Sequence, residues 1–231
     1  MYHHGVFIMV IRFYKACVGL SAVMLLLFVM EWRKNAAFEY MFTFALVPVV
    51  NLGYVWLADS DNLEEAMIAQ KIIYIGGCFL NLFLLFGIFS ICNIKLKSWV
   101  KTLLIFAAFL MYGGILTMDK GELYYKSVTF KKVGELTLLE KEYGPIHTLF
   151  YIYMILILLA SVLVLVYAMI YRPGTSIRNL IILIIMDAAS LVAFFGEKIL
   201  AAVAGMEFEV MPAFYIIAEI VFLILFHRIK S

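Results

Sequence analysis

The sequence predicts an all-α membrane protein, a bundle of seven transmembrane helices with its N-terminus outside and its C-terminus in the cytoplasm. Three observations carry this prediction: an apolar composition, seven apolar runs of membrane length, and an alternation of charge between the runs. Of the 231 residues, 66% are hydrophobic and 15% are charged, and the mean hydropathy is +1.04. These values lie far outside the range of soluble domains. The net charge of +2 is too small to indicate a nucleic-acid partner.

The seven runs define one membrane domain over residues 1–231. A transmembrane helix needs roughly 20 mostly apolar residues. Runs that meet this requirement cover residues 6–30, 36–57, 63–92, 100–117, 146–171, 180–204 and 210–226. The one long connection, residues 118–145, contains the segment LYYKSVTFKKV, which is rich in strand-forming residues. It predicts a small external hairpin that acts as a lid.

Charge alternates between the connections. The segments EWRKN, NIKLKSWVK, YRPGTSIRN and HRIKS are basic, whereas ADSDNLEE and GMEFEVMP contain no Lys or Arg. The positive-inside rule places the first set in the cytoplasm and the second set outside. Arg12 and Lys15 disagree with this orientation, because they would lie in the outer half of the first helix. Either they snorkel outward, or the first helix begins near Ala16.

The start of the third helix carries a capping signal. Asn62 precedes LEE, so Asn62 is the predicted N-cap and Glu65 completes a capping box. Glu64 and Glu65 also oppose the positive end of the helix dipole. Helix capping therefore explains these acids better than catalysis does.

Polar residues at a common depth predict a ligand-binding cavity in the outer half of the bundle. At 1.5 Å per residue, Lys71 lies roughly 12 Å below the outer end of its helix, and polar residues on four other helices have a similar depth. An ionisable residue within a membrane is by default a functional hypothesis, although Lys71 alone can snorkel to the headgroups. The shared depth favours a cavity. Its predicted ligand-binding residues are Asn51, Lys71, Tyr74, Tyr153, Glu197, Lys198 and Glu219.

A deeper polar level contains Asn81 on the third helix and Asp187 on the sixth, each roughly 25 Å from the outer ends. We expect these two residues to form a structural polar pair across the bundle. An unpaired charge at Asp187 would be expensive inside a bilayer, so we expect this carboxyl to be hydrogen-bonded or protonated.

Motifs for catalysis are missing from the sequence. There is no HExxH, GxSxG or glycine-rich phosphate loop, and the last helix has no lysine that could hold retinal. Cys17, Cys78 and Cys92 lie inside apolar runs without CxxC spacing, and they are predicted to be small buried hydrophobes. The sequence therefore predicts no catalytic residue, no metal site and no cofactor.

Two stretches carry a family resemblance. LGYVWLADSDNLEEAMIAQKIIYIGGCFLNLFLLFGIFSIC resembles the N-terminal seven-helix sensor region of bacterial histidine kinases and of some diguanylate cyclases, and EYGPIHTLFYIY resembles that family's entry into helix five. The similarity covers about residues 36–229. Helix six departs from the family, which often has a proline near the middle, where this chain has Asp187. The matching residues are Gly53, Tyr54, Leu63, Glu64, Ala66, Lys71, Tyr74, Gly76, Gly144, Pro145 and Tyr153.

The resemblance implies a non-enzymatic sensor in the bacterial inner membrane. Such a module detects an external or membrane-borne ligand, usually as a homodimer, and helices six and seven relay the signal to a cytoplasmic output domain. Because this chain ends at FHRIKS, we expect either a truncated piece of a longer protein or a sensor that needs a separate partner. The alternative is a small-solute or ion transporter or channel. A third reading is that the membrane charges guide assembly with a partner protein.

Overall fold

Seven long helices and one β-hairpin make up the part of the chain that the structure describes. The computed structural model describes residues 2–31, 38–172, 176–204 and 209–230, with side chains for residues 9–31, 39–172, 176–196, 209–225 and 227. The helices are α1 (Tyr2–Glu31), α2 (Phe38–Asp59), α3 (Leu63–Ile91), α4 (Ser98–Ile115), α5 (Pro145–Tyr171), α6 (Ile177–Ala204) and α7 (Met211–Lys230). The strands are β1 (Tyr125–Val133) and β2 (Leu136–Tyr143). Each predicted run is helical, and its ends shift by only a few residues.

Helices α1 to α6 are, within the described residues, long and apolar enough to cross a bilayer. The stretch of α7 whose side chains the structure describes without a gap, Met211–Leu225, is apolar as well. The helix itself continues to Lys230, and at 1.5 Å per residue its 20 residues are about 30 Å long, which matches the hydrocarbon core of a bilayer.

Helix α1 is continuous from Tyr2 to Glu31 and does not begin near Ala16. The ammonium of Lys15 reaches the carboxylate of Asp59 at the end of α2, with an Nζ–Oδ2 distance of 3.3 Å. A long flexible stem allows lysine to place its charge at the rim of an apolar bundle. The side chain thus extends towards the end of the bundle where α2 stops.

Helix α3 lies at the centre of the bundle. It packs against α2, α4, α5 and α7, and most of its residues are buried. Its second half, Asn81–Ile91, is apolar on nearly all sides, as expected for a helix surrounded by other helices. Between the two halves, Gly76–Leu80 forms a π-helical turn, a local widening that often occurs at functional sites.

Gly76 and Gly77 allow three helices to approach this turn closely. A Cβ atom on Gly76 would lie 2.9 Å from Val50 of α2 and 3.0 Å from the Tyr215 hydroxyl of α7. A Cβ on Gly77 would lie 2.7 Å from the ring of Phe150 on α5. Small residues commonly permit such approach between membrane helices.

The β-hairpin covers one end of the bundle, which we call the hairpin end. Its strands are antiparallel, with Val133 opposite Leu136, and Gly134 in the turn has a φ of 66°. The Thr137 hydroxyl donates a hydrogen bond of 2.6 Å to the carbonyl of Ser60, just after α2. These contacts confirm the predicted hairpin and place it over the α2–α3 connection.

The capping prediction at α3 is confirmed. The backbone N–H of Glu65 donates to the Asn62 side chain at 2.9 Å, and the Glu65 carboxylate accepts from the N–H of Asp61 at 3.0 Å. The reciprocal bond thus goes to the residue before the N-cap. Two backbone donors that the helix leaves free are satisfied in this way.

Substitution of Gly77 by alanine is expected to destabilise the bundle by roughly 1–3 kcal/mol, because the added methyl meets the Phe150 ring. The matched control is Gly113→Ala in α4, where a Cβ would have nothing within 4 Å. That change should be neutral or stabilising by up to about 1 kcal/mol. Melting temperatures of both variants in nanodiscs test this expectation, and equal melting temperatures would contradict it.

Candidate ligand-binding cavity

A cavity of about 90 Å³ lies beneath the hairpin. Its walls come from α2, α3, α5, α6 and the start of α7, and β2 forms its lid. A single water needs roughly 10–15 Å³, so the cavity has room for several waters or for a small organic molecule. Aromatic rings dominate the lining, and they belong to Tyr54, Tyr74, Tyr143, His147, Phe150, Tyr151, Phe194 and Tyr215.

Glu209 brings a carboxylate to this cavity immediately before α7. The Tyr54 hydroxyl donates a hydrogen bond of 2.7 Å to Oε2 of Glu209. The backbone N–H of Glu209 donates to the Tyr14 hydroxyl at 3.0 Å. Both partners are neutral phenols from α2 and α1. They fix the position of the carboxylate without neutralising its charge.

Gln70 of α3 also lines the cavity and is only 2% exposed. Its Oε1 has no hydrogen-bond partner among the described residues. Gln70 thus brings an unpaired amide oxygen to the wall of the cavity, and leaving such a buried atom unsatisfied costs roughly 1–3 kcal/mol.

An aromatic cluster attaches the lid to the bundle. The hydroxyls of Tyr74 on α3 and Tyr125 on β1 are 2.9 Å apart, and the ring of Tyr143 on β2 stacks on His147 of α5 with centroids 3.8 Å apart. Burial, followed by the neighbouring Tyr74 hydroxyl, raises the pKa of Tyr125 well above its ordinary value. Tyr125 therefore stays a neutral phenol, and either hydroxyl of the pair can donate to the other.

Gly144 joins the lid to α5 through a close backbone contact. A Cβ at this position would lie 2.4 Å from the carbonyl oxygens of both Glu122 and Leu123, and the Gly144 N–H donates to the carbonyl of Tyr124 at 2.8 Å. Pro145 follows in the first turn of α5, where its missing N–H costs nothing. Any side chain at residue 144 would push the base of the hairpin away.

The predicted ligand-binding residues do not all meet in this cavity. Tyr74 lines it. Lys71 instead forms an ion pair with Asp119, in the connection before β1, with an Nζ–Oδ2 distance of 2.6 Å. The Tyr153 hydroxyl donates to the carbonyl of Cys78 at 2.6 Å within the bundle. The ligand contacts of Lys71 and Tyr153 stay predictions, and both residues have other partners in the structure.

Asn51 and Glu219 are buried elsewhere in the bundle. The Asn51 side chain donates to the Cys17 carbonyl and the Ser21 hydroxyl, each at 3.3 Å. Glu219 is 0% exposed, and neither of its carboxylate oxygens has a hydrogen-bond partner among the described residues. The side chains of Glu197 and Lys198 lie outside the described part of the chain, so their predicted roles stay predictions.

Asn81 and Asp187 line one small cavity of about 10 Å³, but they have different hydrogen-bond partners. The Asn81 amide donates to the sulfur of Met154 at 3.6 Å, and the Ser161 hydroxyl donates to Asp187 at 2.6 Å. Both partners belong to α5, which provides polar atoms to the two residues separately. Asp187 is therefore hydrogen-bonded to Ser161.

Gln70, Glu209 and Tyr215 are cavity residues that the sequence analysis did not select. Gln70 directly precedes Lys71 and is a polar residue inside a predicted span, a signal that was available. Glu209 was counted only as an acid in an external connection. Tyr215 lies one turn before Glu219, so the search for polar neighbours along that helix would have reached it.

The fold and this cavity define a multi-pass membrane protein with a β-hairpin over a small cavity. Residues 13–230 match the family model described as the N-terminal 7TM region of histidine kinase. Because the match covers nearly the whole chain, the chain belongs to this family, and the predicted resemblance is confirmed. The family region is a membrane sensor module of signal transduction and is not a catalytic domain. A search of curated proteins found no match.

The Lys71–Asp119 pair is expected to make stability depend on pH. A hydrogen bond from Lys71 holds the pKa of Asp119 below its ordinary value of 3.8. A carboxylate with a lowered pKa contributes stability above the ordinary value, and the contribution is lost as pH falls through the lower folded value. Between about pH 6 and about pH 3, the melting temperature should therefore fall more for the unaltered protein than for Asp119→Asn.

Lys71→Met serves as the partner control, because it removes the same pair from the other side. It should reduce the fall in melting temperature between about pH 6 and about pH 3 in the same way. The pair is partly exposed, so the difference should stay within about 1 kcal/mol. Parallel melting curves for all three proteins across this pH range would show that the pair contributes nothing.

Proposed function

We propose that this chain is a sensor module that takes a small molecule from outside into the cavity beneath the hairpin. Binding then changes the packing of α6 and α7, and α7 carries the change to a cytoplasmic output domain. In this proposal the chain spans a bacterial inner membrane seven times and acts as a homodimer. The N-terminus and the hairpin face outward, and the C-terminus faces the cytoplasm, in agreement with the positive-inside rule.

The position of the cavity at the junction of α6 and α7 carries this proposal. Ala193 and Phe194 of α6 line it, together with Met211 and Tyr215 at the start of α7. The other walls belong to α2, α3 and α5. A molecule in the cavity thus contacts α6 and α7 and the central helix at once, and differential contact in two states is what shifts a conformational equilibrium.

Helix α7 is suited to transmit such a shift. It starts two residues after Glu209 and continues to Lys230 at the opposite end of the bundle. Phe222, midway along α7, packs against Gly87 of α3, where a Cβ would lie 2.8 Å from its ring. A helix in tight contact along its length moves as a unit rather than bending locally.

The deeper cavity at Asn81 and Asp187 does not favour the transporter alternative. Transport needs a polar route through the bundle, but the deeper cavity at Asn81 and Asp187 measures only about 10 Å³. A volume of that size holds about one water at most.

Filling the cavity is expected to change signalling output. In a fusion of the chain to a histidine kinase catalytic domain, Ala193→Phe should shift autophosphorylation at least threefold, because the new ring occupies the ligand's space. The control is Val192→Phe, whose side chain is 66% exposed on the outer face of α6. Autophosphorylation in membrane vesicles is the measurement. Equal output from the two variants and the parent fusion would contradict the sensor proposal.

A further inference from the structure

We infer that the cavity beneath the hairpin accepts a small organic cation, a protonated amine of a few carbon atoms. The inference rests on the proposed function for its physiological meaning. Its physical basis is independent and lies in the hydrogen-bonding groups, the charge and the walls of the cavity.

The polar groups that face the cavity from the bundle include two acceptors lacking a full set of donors. Glu209 has a charged carboxylate that accepts one hydrogen bond from Tyr54. Gln70 has an amide oxygen with no partner among the described residues, and the side chain is 98% buried. An ammonium group has three donors and no acceptor, so it matches this pair of acceptors.

The carboxylate of Glu209 forms no ion pair among the described residues. Lys141 of β2 also lines the cavity, but none of the ion pairs among the described residues joins it to Glu209. Lys141 is on the lid and is only half-buried, and its long stem lets the ammonium turn towards solvent. Glu209 is held from within the bundle by neutral phenols. The charge on the helical wall of the chamber is therefore negative, and the positive charge of Lys141 is on the lid.

The walls are suited to a cation as well. Tyr74, Phe150 and Tyr215 line the cavity from three different helices. The face of an aromatic ring attracts an ammonium electrostatically, and the attraction increases when water is excluded. The same rings accommodate the alkyl part of an amine. With about 90 Å³ available, a chain of a few carbons fits and a large metabolite does not.

The test uses three probes of matched size and different charge: n-butylammonium, 1-butanol and butyrate. The whole chain is placed in nanodiscs, and dissociation constants are measured by ligand-observed NMR against empty nanodiscs. We expect n-butylammonium to bind at least tenfold more tightly than 1-butanol or butyrate. Tighter binding of butyrate would make the site an anion site through Lys141, and equal or absent binding of all three probes would also overturn the inference.

Glu209→Gln should weaken n-butylammonium binding at least tenfold and leave 1-butanol binding unchanged, because it removes the charge and keeps the shape. Glu135→Gln in the exposed hairpin turn is the matched control and should change neither. Glu209→Asp keeps the charge and should retain part of the selectivity, which separates loss of charge from misfolding. Unchanged amine binding in Glu209→Gln would overturn the inference.

The two proposals fail separately. The autophosphorylation comparison of Ala193→Phe with Val192→Phe uses no amine, so it can support a sensor even when n-butylammonium does not bind. Conversely, n-butylammonium can bind selectively while Ala193→Phe leaves autophosphorylation unchanged. That result would support the cation site and contradict the sensor proposal.

Discussion

The close approach of α2, α5 and α7 to Gly76 and Gly77 is the constraint on which the rest of the structure depends. Because neither residue has a Cβ, Val50, Phe150 and Tyr215 can press directly on the central helix. The same turn is π-helical, which alters the direction of the residues around it. Two of these three neighbours then line the cavity, so the packing that closes the bundle also shapes the chamber.

The hairpin covers this chamber and so affects how strongly the polar groups inside it interact. Aromatic contacts at Tyr74, Tyr125 and Tyr143 attach the hairpin above α3 and α5, and the Thr137–Ser60 and Lys71–Asp119 contacts secure its edges. Excluding water lowers the local dielectric, which strengthens each interaction that a bound molecule makes and increases the cost of every polar atom left unpaired. A carboxylate and an unpaired amide oxygen beneath such a lid therefore favour occupation by a donor. In the proposed sensor, the lid belongs to the binding site as much as the helices do.

Much of the fold was predictable from the sequence, and less of the site was. Hydropathy located the helices, strand-forming residues located the hairpin, and Asn62 marked the start of α3, because each signal is local. Depth along a helix is also local, but the direction in which a side chain points depends on packing. Lys71, Tyr153 and Glu219 have similar predicted depths, yet they face a loop carboxylate, a backbone carbonyl and an apolar interior respectively. The pairing of a connection residue, Glu209, with Tyr54 far away in sequence has no local signal at all.

The most direct measurement is the accessibility of residue 193 in intact cells, using Ala193→Cys in a background where the three native cysteines are replaced by alanine. Membrane-impermeant methanethiosulfonates, one cationic and one anionic, are applied from outside, with Glu135→Cys in the exposed hairpin turn as the control. The account predicts that the cationic reagent modifies Ala193→Cys faster than the anionic one does, and that n-butylammonium slows the reaction without affecting the control. Modification of Ala193→Cys only from the cytoplasmic side, or faster modification by the anionic reagent, would contradict an external chamber that accepts cations.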